Sequence, residues 1–242
     1  MLRMVFFDLD GTLLPMDQEE FIQTYFPHLC KKVAPLGIDS KKLVSAIWEF
    51  LGSVSQNDGS RTNEALFWEI MTARFGGGIR EKTEAVFDDF YQNEFNLAKT
   101  VCGYHPMAKT VIDFLHSRGI IPLLATNPVF PGTATHARIR WAGLQPEDFC
   151  HITVMENSAF AKPNPAYYKA LLQLVGVKAE ECLMVGNDVQ EDGAATALGM
   201  PVFFLTDCLI DRRQTDLSPY PHGNFTDLLE FLKKAFAAQT GT

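Results

Sequence analysis

The chain has 242 residues, 47% of them hydrophobic, and a formal net charge of -8 at pH 7. That length accommodates one large domain or a core carrying a smaller insert, and the apolar content excludes wholesale disorder. The acidic balance, without any dense basic run, excludes a general binder of nucleic acid or anionic membrane; an anionic substrate would need a local positive centre such as a metal ion.

From Met1 the chain runs directly into Met4-Val5-Phe6-Phe7, an apolar run that breaks at Asp8-Leu9-Asp10-Gly11-Thr12. This pattern predicts a buried strand ending in a polar loop, with no leader ahead of it. Residues 16–100 carry amphipathic stretches at 41–51, 63–75 and 80–95 with no buried strand between them, which predicts an inserted helical subdomain. Trp48, Phe67 and Trp68 are expected in the core of that insert. The Asn57-Asp58-Gly59-Ser60 and Gly76-Gly77-Gly78 stretches read as turns, since neither joins a strand to a helix as a phosphate loop does.

Beyond residue 100 strands and helices alternate. Helical spacing at 107–118 stops at Gly119, an apolar run at 120–125 precedes Thr126-Asn127, and Ile152-Thr153-Val154 is a further strand candidate. A helix is expected at 165–175 before Gly176, a strand at 182–185 before Gly186-Asn187-Asp188, a small-residue helix at 193–198, and a strand at 201–205. This order predicts right-handed βαβ units, hence an α/β fold with a parallel sheet covered by helices on both faces. No apolar run reaches the roughly 18 to 20 residues of a membrane-spanning helix. Cys30, Cys102, Cys150, Cys182 and Cys208 are scattered singly, which is expected of free thiols in a reducing cytosol. A cytoplasmic protein is the expectation, and the oligomeric state is not legible.

Functional groups of such sheets collect at the carboxyl ends of the strands. Asp8 and Asp10, two apart in an extended segment, send both carboxylates to one side and repel unless a cation intervenes, and Asp188 beyond the fourth strand adds a third carboxylate. Oxygen ligands of this kind suit magnesium (Mg2+), which needs only a few carboxylates besides water and phosphate. Lys162, between Ala161 and Pro163, offers an ammonium to balance phosphate charge, and Thr126 with Asn127 offers a hydroxyl and an amide to phosphate oxygens. The six histidines show no metal-ligand spacing.

Taken in order, Asp8-Leu9-Asp10-Gly11-Thr12-Leu13, Thr126, Lys162-Pro163 and Gly186-Asn187-Asp188 with Asp192 resemble the signature motifs of the haloacid dehalogenase superfamily. The resemblance implies a Rossmannoid catalytic core at 1–15 and 101–242 and an all-α cap at 16–100. It implies a phosphatase acting on a small phosphorylated metabolite, in which Asp8 attacks phosphorus and Asp10 serves first as acid and then as base. Magnesium would be held by the Asp8 carboxylate, the Asp10 backbone carbonyl and Asp188; Gly11, Thr12, Thr126, Asn127 and Lys162 would face the phosphoryl group. The fourth motif departs from the commonest pattern, with Asn187 where an aspartate usually follows the glycine, so Asn187 receives a supporting role and Asp192 one of orienting Lys162. Two alternatives remain open: a sugar phosphomutase of the same superfamily, and a catalytically silent binding domain. A dehalogenase is disfavoured by Asp10, because that chemistry has no phosphate leaving group to protonate.

Overall fold

The computed structural model describes residues 1–240; the last two residues of the expected 101–242 core segment lie outside the described residues. All six strands among the described residues are parallel: β1 (Met4–Phe7), β2 (Leu123–Leu124), β3 (His151–Ile152), β4 (Cys182–Gly186), β5 (Val202–Leu205) and β6 (His222–Gly223). Their order in the sheet is β3-β2-β1-β4-β5-β6, so β1 is central and the winding direction reverses at its two sides. Such a reversal leaves a crevice beyond the carboxyl ends of the two strands concerned, here β1 and β4. Phe7 pairs with Val185 across that seam, which brings the loops starting at Asp8 and Asn187 side by side.

Side chains alternate between the faces with the period of two that pleating imposes. Phe6, Met184 and Phe204 point to the face covered by Tyr167, Tyr168 and Leu171 of α7 (Pro165–Val175), the last helix but one. Val5, Phe7, Val185, Phe203 and Leu205 point to the other face, against α5 (Pro106–Ser117) and the C-terminal α8 (Phe225–Thr240). Burial on both faces explains why these strands read as continuous apolar runs. The expected strand at 120–125 shrinks to two residues for a definite reason. The Ile120 N–H closes the end of α5 on the Leu115 carbonyl, and Pro122 has no N–H to give to a ladder.

Between β1 and α5 every regular element is helical: α1 (Gln18–Val33), α2 (Ser40–Ser53), α3 (Asn63–Phe75) and α4 (Ile79–Gln92), followed by a 3-10 segment at Glu94–Val101. The expected helix at 80–95 ends early because Asn93 leaves helical geometry at φ -116, ψ -84, and the chain tightens beyond it. The expected small-residue helix at 193–198 is likewise a 3-10 segment, Asp192–Leu198. Chain exit and re-entry run together: Met16 bridges Cys102, and the Gly103 N–H donates to the Pro15 carbonyl at 2.7 Å. A second tie lies at the start of α3, where the fully buried Asn63 accepts from the Asn57 amide at 2.9 Å and donates to the Pro128 carbonyl at 3.1 Å. α6 (Gly132–Trp141), between β2 and β3, was not anticipated from the sequence; its buried face includes an arginine, Arg138, that matters below. No described helix is long and apolar enough to cross a membrane.

Candidate active site

The loop after β1 is held in place before its carboxylates do anything. The Gly11 N–H donates to the Leu14 carbonyl and the Thr12 N–H to the Leu9 carbonyl, while the Thr12 hydroxyl donates to Asn187 Oδ1 at 2.9 Å. Asn187 in turn donates to the Cys208 carbonyl at 2.7 Å. Gly11 has φ +83, and a Cβ there would overlap the Asn187 side chain, so only glycine permits the first and fourth motif loops to touch. The N–H groups of Gly11 and Thr12 and the Thr12 hydroxyl thus have partners within the protein, and both residues shape the loop.

Asp8 stands at the carboxyl end of β1, its N–H bonded to the Val185 carbonyl and its Oδ1 accepting from Lys162 Nζ at 2.9 Å. The same ammonium donates to Asp192 Oδ1 at 2.6 Å. Lys162 and Asp192 are buried, and a Cβ at Gly186 would overlap the Asp192 carboxylate, so β4 needs its terminal glycine to admit this pair. Burial by itself depresses the Lys162 ammonium, but the carboxylates of Asp192 and Asp8 override it and hold the group charged, well above its ordinary range. Two carboxylates share one ammonium; burial accordingly pushes the Asp192 carboxyl above its ordinary range, against the pull of Lys162. Asn127 closes the loop around them, accepting from the Lys162 N–H at 3.2 Å and donating to Glu191 Oε2 at 3.1 Å. Thr126 is buried beside it, its carbonyl taken by Thr153 and Tyr167 and its hydroxyl without a protein partner among the described residues.

Asp10 is held differently. Its Oδ2 is ion-paired with Arg138, a fully buried guanidinium that lies 4.3 Å from the Phe130 ring centroid and also donates to Thr135 Oγ1. Asp10 Oδ1 is buried without a partner. Burial raises the Asp10 carboxyl above its usual range while Arg138 opposes that rise. One oxygen anchored and the other free is the arrangement a carboxyl needs to exchange a proton with a bound molecule.

Asp188, at the end of β4, accepts the N–H groups of Gln190 and Glu191 on Oδ1 and Arg212 Nη1 on Oδ2 at 2.6 Å. Asp8 and Asp188 follow the neighbouring strands β1 and β4 and offer only oxygen, the donor a hard cation takes, while the Asp10 carboxylate turns to Arg138. Among the described residues no three His, Cys, Asp or Glu side chains gather as a metal cluster. Two carboxylates are a donor set that fits magnesium, which takes oxygen ligands and keeps several waters.

Residues matching the family model for haloacid dehalogenase-like hydrolases run from 2 to 199. The chain belongs to that family. A phosphoglycolate phosphatase of Vibrio parahaemolyticus is 30% identical over 130 residues, covering 53% of the chain and 54% of that protein, so the chain matches about half the length of this curated relative. One from Xylella fastidiosa is 26% identical over 201 residues, covering 82% and 78%. Among solved structures, the 2-haloacid dehalogenase of Pseudomonas syringae pv. Tomato DC3000 covers 97% of the chain and 99% of its own at 20% identity, with a TM-score of 0.63, a likeness of fold.

Three charged residues of the site escaped the sequence reading: Arg138, Arg212 and Glu191. Glu191 touches the Lys162 loop through Asn127, and burial pushes its carboxyl up to about 7. An unfolded glutamate titrates near 4.5, so between about 4.5 and 7 the folded chain binds the extra proton and stability falls as pH rises. In EDTA-treated protein, Glu191→Gln is expected to remove the share of that decline that Glu191 contributes, beside those of Asp192 and Asp10, and to gain about 1–3 kcal/mol at pH 8. Urea unfolding at pH 5 and pH 8 measures both numbers; an unchanged slope between them would contradict the burial argument.

Proposed function

We propose that the chain is a magnesium-dependent phosphatase that hydrolyses a small phosphorylated metabolite through an aspartyl-phosphate on Asp8. The observation that carries this reading is the grouping of Asp8, Lys162, Asp192 and Asp188 at one crevice, beside an Asp10 carboxyl with a single anchored oxygen. Asp8 Oδ attacks phosphorus while the bond to the ester oxygen breaks, and that oxygen leaves as an alcohol with the proton from Asp10. Asp10, now ionised, takes a proton from the water that attacks the phosphoryl group, which frees phosphate and restores Asp8. One hard displacement becomes two easier ones. Lys162 offsets phosphoryl charge and Asp192 orients it, the Thr126 hydroxyl donates to a phosphoryl oxygen, and Asn127 and Asn187 hold the loops in register.

Magnesium, held by Asp8, Asp188 and the Asp10 carbonyl, supplies charge neutralisation when bound. Residues 1–15 and 101–242 form the catalytic core in this reading, and 16–100 the cap that shields the aspartyl ester from bulk solvent in a cytoplasmic enzyme. The test is release of phosphate from p-nitrophenyl phosphate by the whole chain. Release is expected with magnesium, is expected to fall to background in EDTA, and is expected to return when magnesium is restored. Full turnover in EDTA would sink the metal assignment, and no release under any condition would sink the phosphatase.

A further inference from the structure

A cavity of about 440 Å³ rises from Asp10 and Lys162 into the helical segment, a volume typical of small-ligand sites. Its upper walls are aromatic and aliphatic: Phe21, Phe26, Trp48, Phe67, Trp68 and Tyr91 all line it. Trp48 was expected inside the helical core, but its residue is 50% exposed, and the one ring pair it makes among the described residues is edge-on with Phe26, at 5.9 Å between ring centroids. A half-exposed tryptophan facing a cavity offers contact area that the fold itself does not use.

Charge on the walls argues in the same direction. Lys162 is the only Lys or Arg among the lining residues, and it is already engaged by Asp8 and Asp192. Every other charged side chain there is a carboxylate: Asp10, Glu64, Glu84, Asp88, Glu156 and Glu191. The helical segment carries three further arginines, each already ion-paired, and Arg80 is held by two carboxylates of the cavity wall itself. Arg61 pairs with Glu69 at 3.0 Å, Arg74 with Glu49 at 2.5 Å, and Arg80 with Glu64 and Glu84 at 2.8 and 2.7 Å. A carboxylate on the substrate's leaving group would meet no unpaired cation among the lining residues; Asp10, Glu64 and Glu84 are offset by Arg138 and Arg80, but Asp88, Glu156 and Glu191 have no ion pair among the described residues, and desolvating a further carboxylate beside them is unfavourable. The hydroxyls of a sugar would find ring faces along most of the upper wall in place of donors and acceptors.

Resting on the phosphatase reading, we infer that the preferred substrates are monoesters of phosphate with an uncharged apolar or aromatic alcohol, and that Trp48 and Phe67 form the surface recognising it. This separates the chain from the phosphoglycolate phosphatases it resembles in sequence, whose named substrate carries a second anionic group.

The decisive comparison uses alkyl esters, so that leaving-group chemistry stays nearly constant: 3-phenylpropyl phosphate, phosphoglycolate, glucose 6-phosphate and phosphoethanolamine, with p-nitrophenyl phosphate as a control for activity. The magnesium-loaded chain is expected to show kcat/KM for 3-phenylpropyl phosphate roughly tenfold or more above each of the other three, the scale on which a pocket discriminates apolar groups. Trp48→Ala, at a half-exposed position where folding is little affected, is expected to cut the ratio of 3-phenylpropyl phosphate to phosphoethanolamine by about fivefold or more. Phe67→Ala should act in the same sense. A higher kcat/KM for phosphoglycolate, the sugar phosphate or the amine would overturn the substrate class and leave the phosphatase standing. Failure to hydrolyse any of them, the control included, would overturn both.

Discussion

Asp8→Asn is expected to lower kcat by about 10⁴-fold or more, the scale on which removal of a catalytic nucleophile acts. An amide oxygen is a poor nucleophile toward phosphorus, and the variant has no carboxylate with which to form the phosphoester. Folding should survive, for a reason visible in the site. In the parent, Asp8 and Asp192 share the single ammonium of Lys162, leaving one uncompensated negative charge in a buried trio. With Asn at position 8, the remaining Lys162–Asp192 pair is balanced, so stability should be unchanged or slightly higher. Phosphate release, acid-quenched labelling of the protein by radioactive substrate, and urea unfolding separate the two effects. Turnover within tenfold of the parent, with label still retained, would remove Asp8 from its assigned role.

The second large effect concerns Arg138, which touches no bulk solvent and makes its ion pair with Asp10. Arg138→Met keeps the volume against Phe130 but leaves the part-buried Asp10 carboxylate with neither oxygen paired. Breaking a buried pair from one side costs about 3–5 kcal/mol, far more than the pair adds over a well-packed apolar substitute. For a chain of this size that corresponds to a Tm lower by roughly 6–20 °C. Asp10→Asn in the same background should recover most of the loss, since the uncompensated charge goes with it. The coupling energy of the double-mutant cycle measures this directly. A loss under about 1 kcal/mol in Arg138→Met would mean that the Asp10 carboxyl is hydrated or already neutral. The kinetic consequence should run in parallel: Asp10 without its anchor loses its aim at the ester oxygen. Alkyl phosphates, which need the proton, should therefore suffer more than p-nitrophenyl phosphate, which leaves readily without one.

Local chemistry alone determined a good part of this protein. Met4–Phe7, Asn63–Phe75 and Pro165–Val175 form the elements their periodicity predicts, to the residue. Each carries a signal complete within a few positions: an apolar run broken by Asp8, a Thr62 cap with Gly76 beyond the end, and an Asn164 cap followed by Pro165 and closed by Gly176. The order of the motifs along the chain likewise placed Asp8, Lys162 and Asp192, because sheets of this kind deliver the ends of separate strands to one crevice.

Tertiary structure decided what those signals do not encode. β6 is only two residues long and is a strand because β5 lies beside it. An arginine in a helix ordinarily lies solvated; Arg138 is buried because α6 brings it beneath the β1 loop, where Asp10 supplies a counter-charge. Whether Arg61, Arg74 and Arg80 could receive an anion depended on which carboxylates the neighbouring helices set against them, and all three were met. Trp48 reads as core from its helical spacing, and only the packing of α1 and α2 leaves it half exposed beside a cavity. The backbone pattern follows from near neighbours in sequence, whereas the charge and polarity of a pocket are sums over residues far apart in the chain, fixed only once the chain has folded.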